Sequence, residues 1–129
     1  MCIRDRFSGA RAVLEKCTAA TNGLYGVYAF GEGSRMEAEG CTLQKNAADG
    51  VLAAHAAEVV VRGCHITDNG GDGLWARNSA KLTASDSSSK RNMACNCGAA
   101  MGGKLEMQRV EVDGVMTTKT LNPMFVKRL

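Results

Sequence analysis

Three cysteines set a ruler along this 129-residue chain: Cys17, Cys41 and Cys64 stand 24 and 23 residues apart. A further step of 23 reaches Ser87, and another reaches Val110. Asparagines keep the same interval at Asn22, Asn46, Asn69 and Asn92. Gly26, Gly50 and Gly73 follow, with Asn96 in the fourth copy, and then Val27, Val51, Leu74 and Cys97. Two residues later come Ala29, Ala53, Ala76 and Ala99. Five columns held in register over four copies define a repeat architecture, and every other reading has to fit that period.

The local pattern decides what each copy is made of. Upstream of the cysteine column the apolar residues alternate, as Ala12/Leu14, Met36/Ala38, Val59/Val61, Leu82/Ala84 and Leu105/Met107. Between them stand Val13, Glu37, Val60, Thr83 and Glu106, most of which suit solvent. Period two is the mark of a strand with one buried face. Helical repeats such as ankyrin need about 33 residues and a 3.6 period, so they are excluded. Three short strands joined by turns fit a 23-residue coil.

The units GCTLQKNAADGVLAAHAAEVVVR (40–62) and GCHITDNGGDGLWARNSAKLTAS (63–85) resemble coils of the right-handed parallel β-helix. That group includes pectate-lyase-like enzymes, uronan epimerases and carbohydrate-binding repeat domains. The resemblance implies an all-β solenoid of about 4–5 coils over residues 11–115. Residues 1–10 then form a non-repeat segment, of which MCIRDR (1–6) resembles translated adapter sequence. Residues 116–129 form a basic tail or cap, and the parent protein is expected to continue into further coils. The pattern is specific for the fold and nearly silent about activity.

In a parallel solenoid, equivalent side chains stack about 4.8 Å apart as ladders of like residues. The Asn22/Asn46/Asn69/Asn92 column is expected to stack at a turn, each amide donating to the next carbonyl. The glycine column is expected to supply positive φ at the following bend. Cys17, Cys41 and Cys64 fall on the inward face, where parallel Cβ vectors do not favour a disulfide. Unpaired, inert thiols suit a reducing, intracellular compartment.

Outward columns carry the candidate chemistry. Lys45, Asp68 and Arg91 alternate in charge and read first as a surface ion-pair ladder. Asp49 and Asp72 share another column, and two carboxylates on adjacent coils imply hydration, a bound cation or one raised pKa. The resemblance to lyases and epimerases would make Asp49, Asp72 and Asp68 the acidic residues, with Arg91 or Lys45 as the base. Only on that reading is a cofactor implied, calcium at Asp49 and Asp72. Tyr28, Leu52 and Trp75 share a column beside the inward Val27/Val51/Leu74 ladder, so they are expected outward as an open strip. Such a strip offers flat faces to a sugar ring or a protein partner.

Charge narrows the partners. Residues 1–11 carry +2 and residues 116–129 carry +3, while 12–115 carry −2. A nucleic-acid partner is disfavoured by that acidic body. No apolar run approaches the roughly 18 residues of a membrane-spanning helix. Phosphate-binding loops, dinucleotide fingerprints and nucleophile elbows are missing. Cys95 and Cys97 form C-x-C, but His55 and His65 fall outside any zinc spacing. The function expected is a non-catalytic module binding carbohydrate or protein on its outer face; the competing one is a piece of a polysaccharide lyase or uronan epimerase.

Overall fold

The computed structural model describes residues 3–4, 11–16, 18–20, 26–93, 96–121 and 127–128. These residues form strands β1 (Ile3–Arg4), β2 (Arg11–Glu15), β3 (Thr18–Ala20), β4 (Val27–Phe30), β5 (Arg35–Glu39), β6 (Thr42–Gln44), β7 (Val51–Ala54) and β8 (Glu58–Arg62). The series continues with β9 (His65–Thr67), β10 (Leu74–Arg77), β11 (Lys81–Ser85), β12 (Ser88–Lys90), β13 (Cys97–Ala100), β14 (Lys104–Val112), β15 (Val115–Leu121) and β16 (Lys127–Arg128). No helix occurs among the described residues. Cys17, Asn22 and Cys95 lie outside them.

Each coil contributes three strands, and the coils stack as a parallel β-solenoid. One sheet runs β1-β4-β7-β10-β13-β16; the other runs β2-β5-β8-β11-β14-β12-β9-β6-β3, with β15 on β14. Pairing follows the sequence period: Val27 with Val51, Val51 with Leu74, Leu74 with Cys97. Met36, Val59, Leu82 and Leu105 make a second such ladder. These residues are at most 1% exposed, and with the alanine columns they fill the main core.

The turns are held by polar ladders. The Asn46 side-chain amide donates to Asn69 Oδ1 at 2.9 Å, and the Asn69 amide donates to Asn92 Oδ1 at 2.9 Å. The cysteine column is also bonded: the Cys41 N–H donates to Cys64 Sγ, and the Cys64 N–H donates to Ser87 Oγ at 3.2 Å. Burial pushes the Cys64 thiol up to about 11 and the Cys97 thiol up to about 12. Cys64 and Cys97 are therefore protonated at neutral pH, and Cys41, Cys64 and Cys97 are all buried thiols.

Left-handed backbone is not where the glycine column predicts it. Gly26, Gly50 and Gly73 lack positive φ; the charged column has it instead, with Lys45 at 54°, Asp68 at 56° and Arg91 at 54°. Lys16, Gly40, Gly63, Asp86 and Arg109 share a second left-handed corner. The column glycines answer a different need, which is space.

Both ends depart from the periodic pattern. Ile3 and Arg4 pair in parallel with Val27 and Tyr28, so part of the opening segment extends the ladder. After Val112 the chain reverses through Asp113 and Gly114, with φ of 47° and 85°, and β15 returns antiparallel to β14. Val112 pairs with Val115, making a two-residue hairpin loop whose positive φ values suit Asp-Gly. The loss of the 23-residue period here marks a reversal of strand direction.

Candidate functional site

The aromatic column does not form the open strip that its alternation suggests. Tyr28 and Trp75 are 8% exposed and Leu52 is 1% exposed. The three face away from the main core, in a separate cluster with Ala100, against which Phe30 packs. Neighbouring rungs cover one another: Trp75 pairs in register with Leu52 on one side and with Gly98 on the other, and Gly98 offers no competing side chain. Ala54, in register between Phe30 and Arg77, is fully buried beneath longer neighbours.

The two carboxylates meet at the turn leading into β7 and β10. Asp49 Oδ1 accepts the Asp72 backbone N–H at 2.7 Å. Burial raises the Asp49 carboxyl to about 6; the Asp72 charge pushes the same way, and the N–H bond and Arg77 oppose it. Among the described residues no group of three or more His, Cys, Asp or Glu side chains converges as a metal site. Asp49 and Asp72 thus stand as a pair, joined by no third such side chain among the described residues.

The raised Asp49 value makes stability pH-dependent. The folded value exceeds the unfolded one, so between about pH 4 and pH 6 the native protein holds more protons than the unfolded chain. Stability falls as pH rises through that window, and the loss is complete above it. Asp49→Asn keeps an acceptor for the Asp72 N–H and removes the charge. Urea unfolding should find it more stable than the parent by on the order of 1–2 kcal/mol at pH 7, converging near pH 4. Parallel pH profiles for the two proteins would disprove this account.

Asp68 and Arg91 form a two-pronged surface ion pair, Nε to Oδ1 at 3.0 Å and Nη2 to Oδ2 at 3.2 Å. The hydrogen-bonded guanidinium holds the Asp68 carboxyl below its usual range, with Lys45 adding a weaker attraction. Asp68 in turn raises the Arg91 pKa, moving it further from the neutral form that proton abstraction needs.

A groove lies on the outer face of the ten-stranded sheet, away from the candidate columns. Its volume is about 430 Å³, and its floor joins two in-register columns. One column is Val60, Thr83 and Glu106, continued by Thr120; the other is Arg62, Ser85 and Gln108. Thr118 of β15 closes one side. The rim is charge-neutralised where Lys104 meets Glu106 at 2.8 Å, whereas Arg62 has no ion-pair partner among the described residues. A second depression of about 320 Å³ adjoins it across the Asp86–Arg109 ion pair. There His65 Nδ1 lies 2.9 Å from Ser88 Oγ, with Glu111 next in the column. The sequence signal for this face was the outward row Val60/Thr83/Glu106; the wall supplied by β15 was hidden with the hairpin.

A family model described as a right handed beta helix region matches residues 5–116. No curated protein and no solved structure matches the chain.

Proposed function

Because the chain belongs to the right-handed β-helix family, we propose that it is a non-catalytic repeat module binding carbohydrate in the polar groove of its ten-stranded sheet. The observation that carries this reading is the groove floor, where Thr83, Ser85, Gln108, Thr118 and Thr120 line one depression beside Arg62, which has no ion-pair partner among the described residues. Hydroxyls both donate and accept, and a side-chain amide does both with separate atoms, so such a floor matches the alternating demands of a sugar's hydroxyls. Its volume lies in the range of small-molecule sites. The part of the floor on β8, β11 and β14 is preorganised because those strands are bonded on both sides, while Thr118 and Thr120 are held through the pairing of β15 with β14. The aromatic column, being covered, is not the contact surface on this reading.

Isothermal titration of the folded chain with a panel of neutral and acidic oligosaccharides tests the proposal. Saturable binding is expected, weakened at least about tenfold in the double variant Arg62→Ala/Ser85→Ala, which removes the guanidinium and one hydroxyl. Trp75 stands on the other sheet, so its fluorescence should change little. Absence of heat with every member of the panel would overturn the proposal.

One observation favours a second reading, a piece of a polysaccharide lyase or uronan epimerase. Asp49, raised to about 6 beside Asp72, is tuned as an acid or base would be. That reading requires unsaturated or epimerised uronate in the same mixtures, with product lost in Asp49→Asn. Binding without product supports the module.

A further inference from the structure

The hairpin that ends the parallel ladder leaves a strand edge open. β15 pairs with β14 along one side and with no other strand among the described residues. It is seven residues long, VMTTKTL, with β-branched residues at four positions. Val115 and Met116 are 65% and 64% exposed. An unpaired edge of this length is a template for strand addition unless charge or geometry blunts it. Lys119 is its sole charge.

We infer that β15 is a self-association surface: two copies pair antiparallel through it, about a twofold axis at Thr118. The strand's own sequence selects a second copy as the occupant. Reversed upon itself about Thr118, it sets Val115 opposite Leu121, Met116 opposite Thr120, Thr117 opposite Lys119, and Thr118 opposite Thr118. Like charges never meet in this register, since each lysine faces a threonine, and a threonine pair at the centre is a favourable cross-strand contact. The arrangement is isologous and closes at two copies.

The pairing also bears on the groove, a consequence that rests on the carbohydrate reading. Thr118 and Thr120 line the larger depression and Met116 lines the smaller one. Across the twofold axis the partner's equivalents continue the same outward row. The depressions of two copies then join into one longer trough across a rigid interface, suited to a polymer rather than a monosaccharide.

Light scattering on the eluting full chain, without any glycan, tests the association independently of the groove. The mass should rise from 13.6 kDa to twice that value as concentration is increased. Thr118→Lys and Thr118→Asp each place like charges face to face at the axis, and each should weaken the dimer at least about tenfold. Mixing the two variants should restore a mixed dimer, because residue 118 then faces its complement. Thr118 Oγ1 accepts one exposed bond from the Arg109 N–H, so both variants should keep the parent's far-ultraviolet circular dichroism.

Hydrogen exchange on the unmodified chain gives a second readout, in which β15 amides slow as concentration rises. A mass fixed at 13.6 kDa with unchanged exchange would overturn the inference. So would growth beyond the dimer, which signals head-to-tail stacking, or folded charge variants whose mixture stays monomeric. Loss of glycan binding with the dimer intact would overturn the carbohydrate reading alone.

Discussion

Asn69→Ala is expected to lower stability by about 3–5 kcal/mol, among the largest effects available to a single substitution here. The side chain is fully buried. Its Oδ1 accepts from the Asn46 backbone N–H at 3.1 Å and from the Asn46 side-chain amide at 2.9 Å. Its own amide donates to Asn92 Oδ1 at 2.9 Å and to the Leu43 carbonyl at 3.2 Å. Alanine would leave the Asn46 donors and the Leu43 carbonyl without those partners in a buried turn. Each orphaned buried group costs about 1–3 kcal/mol, partly recovered by relaxation. Asn69→Asp keeps the acceptor but brings carboxylate oxygens toward Asn92 Oδ1 and the Leu43 carbonyl, so it should also be destabilising at neutral pH and less so in acid. Urea unfolding of the three proteins is the measurement. A loss below about 1 kcal/mol for Asn69→Ala would mean that the ladder is ornamental rather than a structural spine.

Gly50→Ala is expected to cost about 2–4 kcal/mol although its backbone is open to any residue. A Cβ there would lie 2.5 Å from Ile66 Cγ2, 2.8 Å from Asn69 Nδ2 and 2.9 Å from the Gly73 carbonyl oxygen. None of the three can easily retreat. Ile66 is fully buried, Asn69 is tied into the ladder, and the Gly73 carbonyl accepts the Val51 N–H at 2.8 Å. Gly40 is the instructive control: its φ is +64°, yet an added Cβ meets nothing closer than 3.6 Å. In the same corner Lys16, Asp86 and Arg109 carry side chains at similar φ. Gly40→Ala should therefore cost only about 1 kcal/mol. Thermal unfolding of both variants would reverse this explanation if Gly40 proved the more sensitive site.

These two sites show why the repeat was legible and much of its detail was not. The asparagine, cysteine and apolar columns announce which residues stack, because a ladder repeats one side chain at one interval. The same interval says nothing about which residue of a turn takes the left-handed conformation. Lys45, Asp68 and Arg91 occupy it, and the glycines nearby serve close packing between rungs. The Tyr28/Leu52/Trp75 column was readable as turned away from the core, but period two cannot report what lies over the opposite face. Asp113-Gly114 is a strong hairpin signal, but it falls where the 23-residue period is lost, so no column carries the pattern into β15. With it went Thr118 and Thr120, and so one wall of the groove.

By itself the sequence determined the coil length, the pairing register and the identity of the core, since each follows from side chains repeating at 23 or 24 positions along a parallel ladder. The tertiary structure decided exposure and charge state. Trp75 is covered, Asp49 is lifted to about 6, and Thr83, Ser85 and Thr118 share one depression. The physical reason is the same in each case. Periodicity is a property of neighbours one coil apart, whereas accessibility and desolvation depend on every surface that closes over a residue, including strands that break the period.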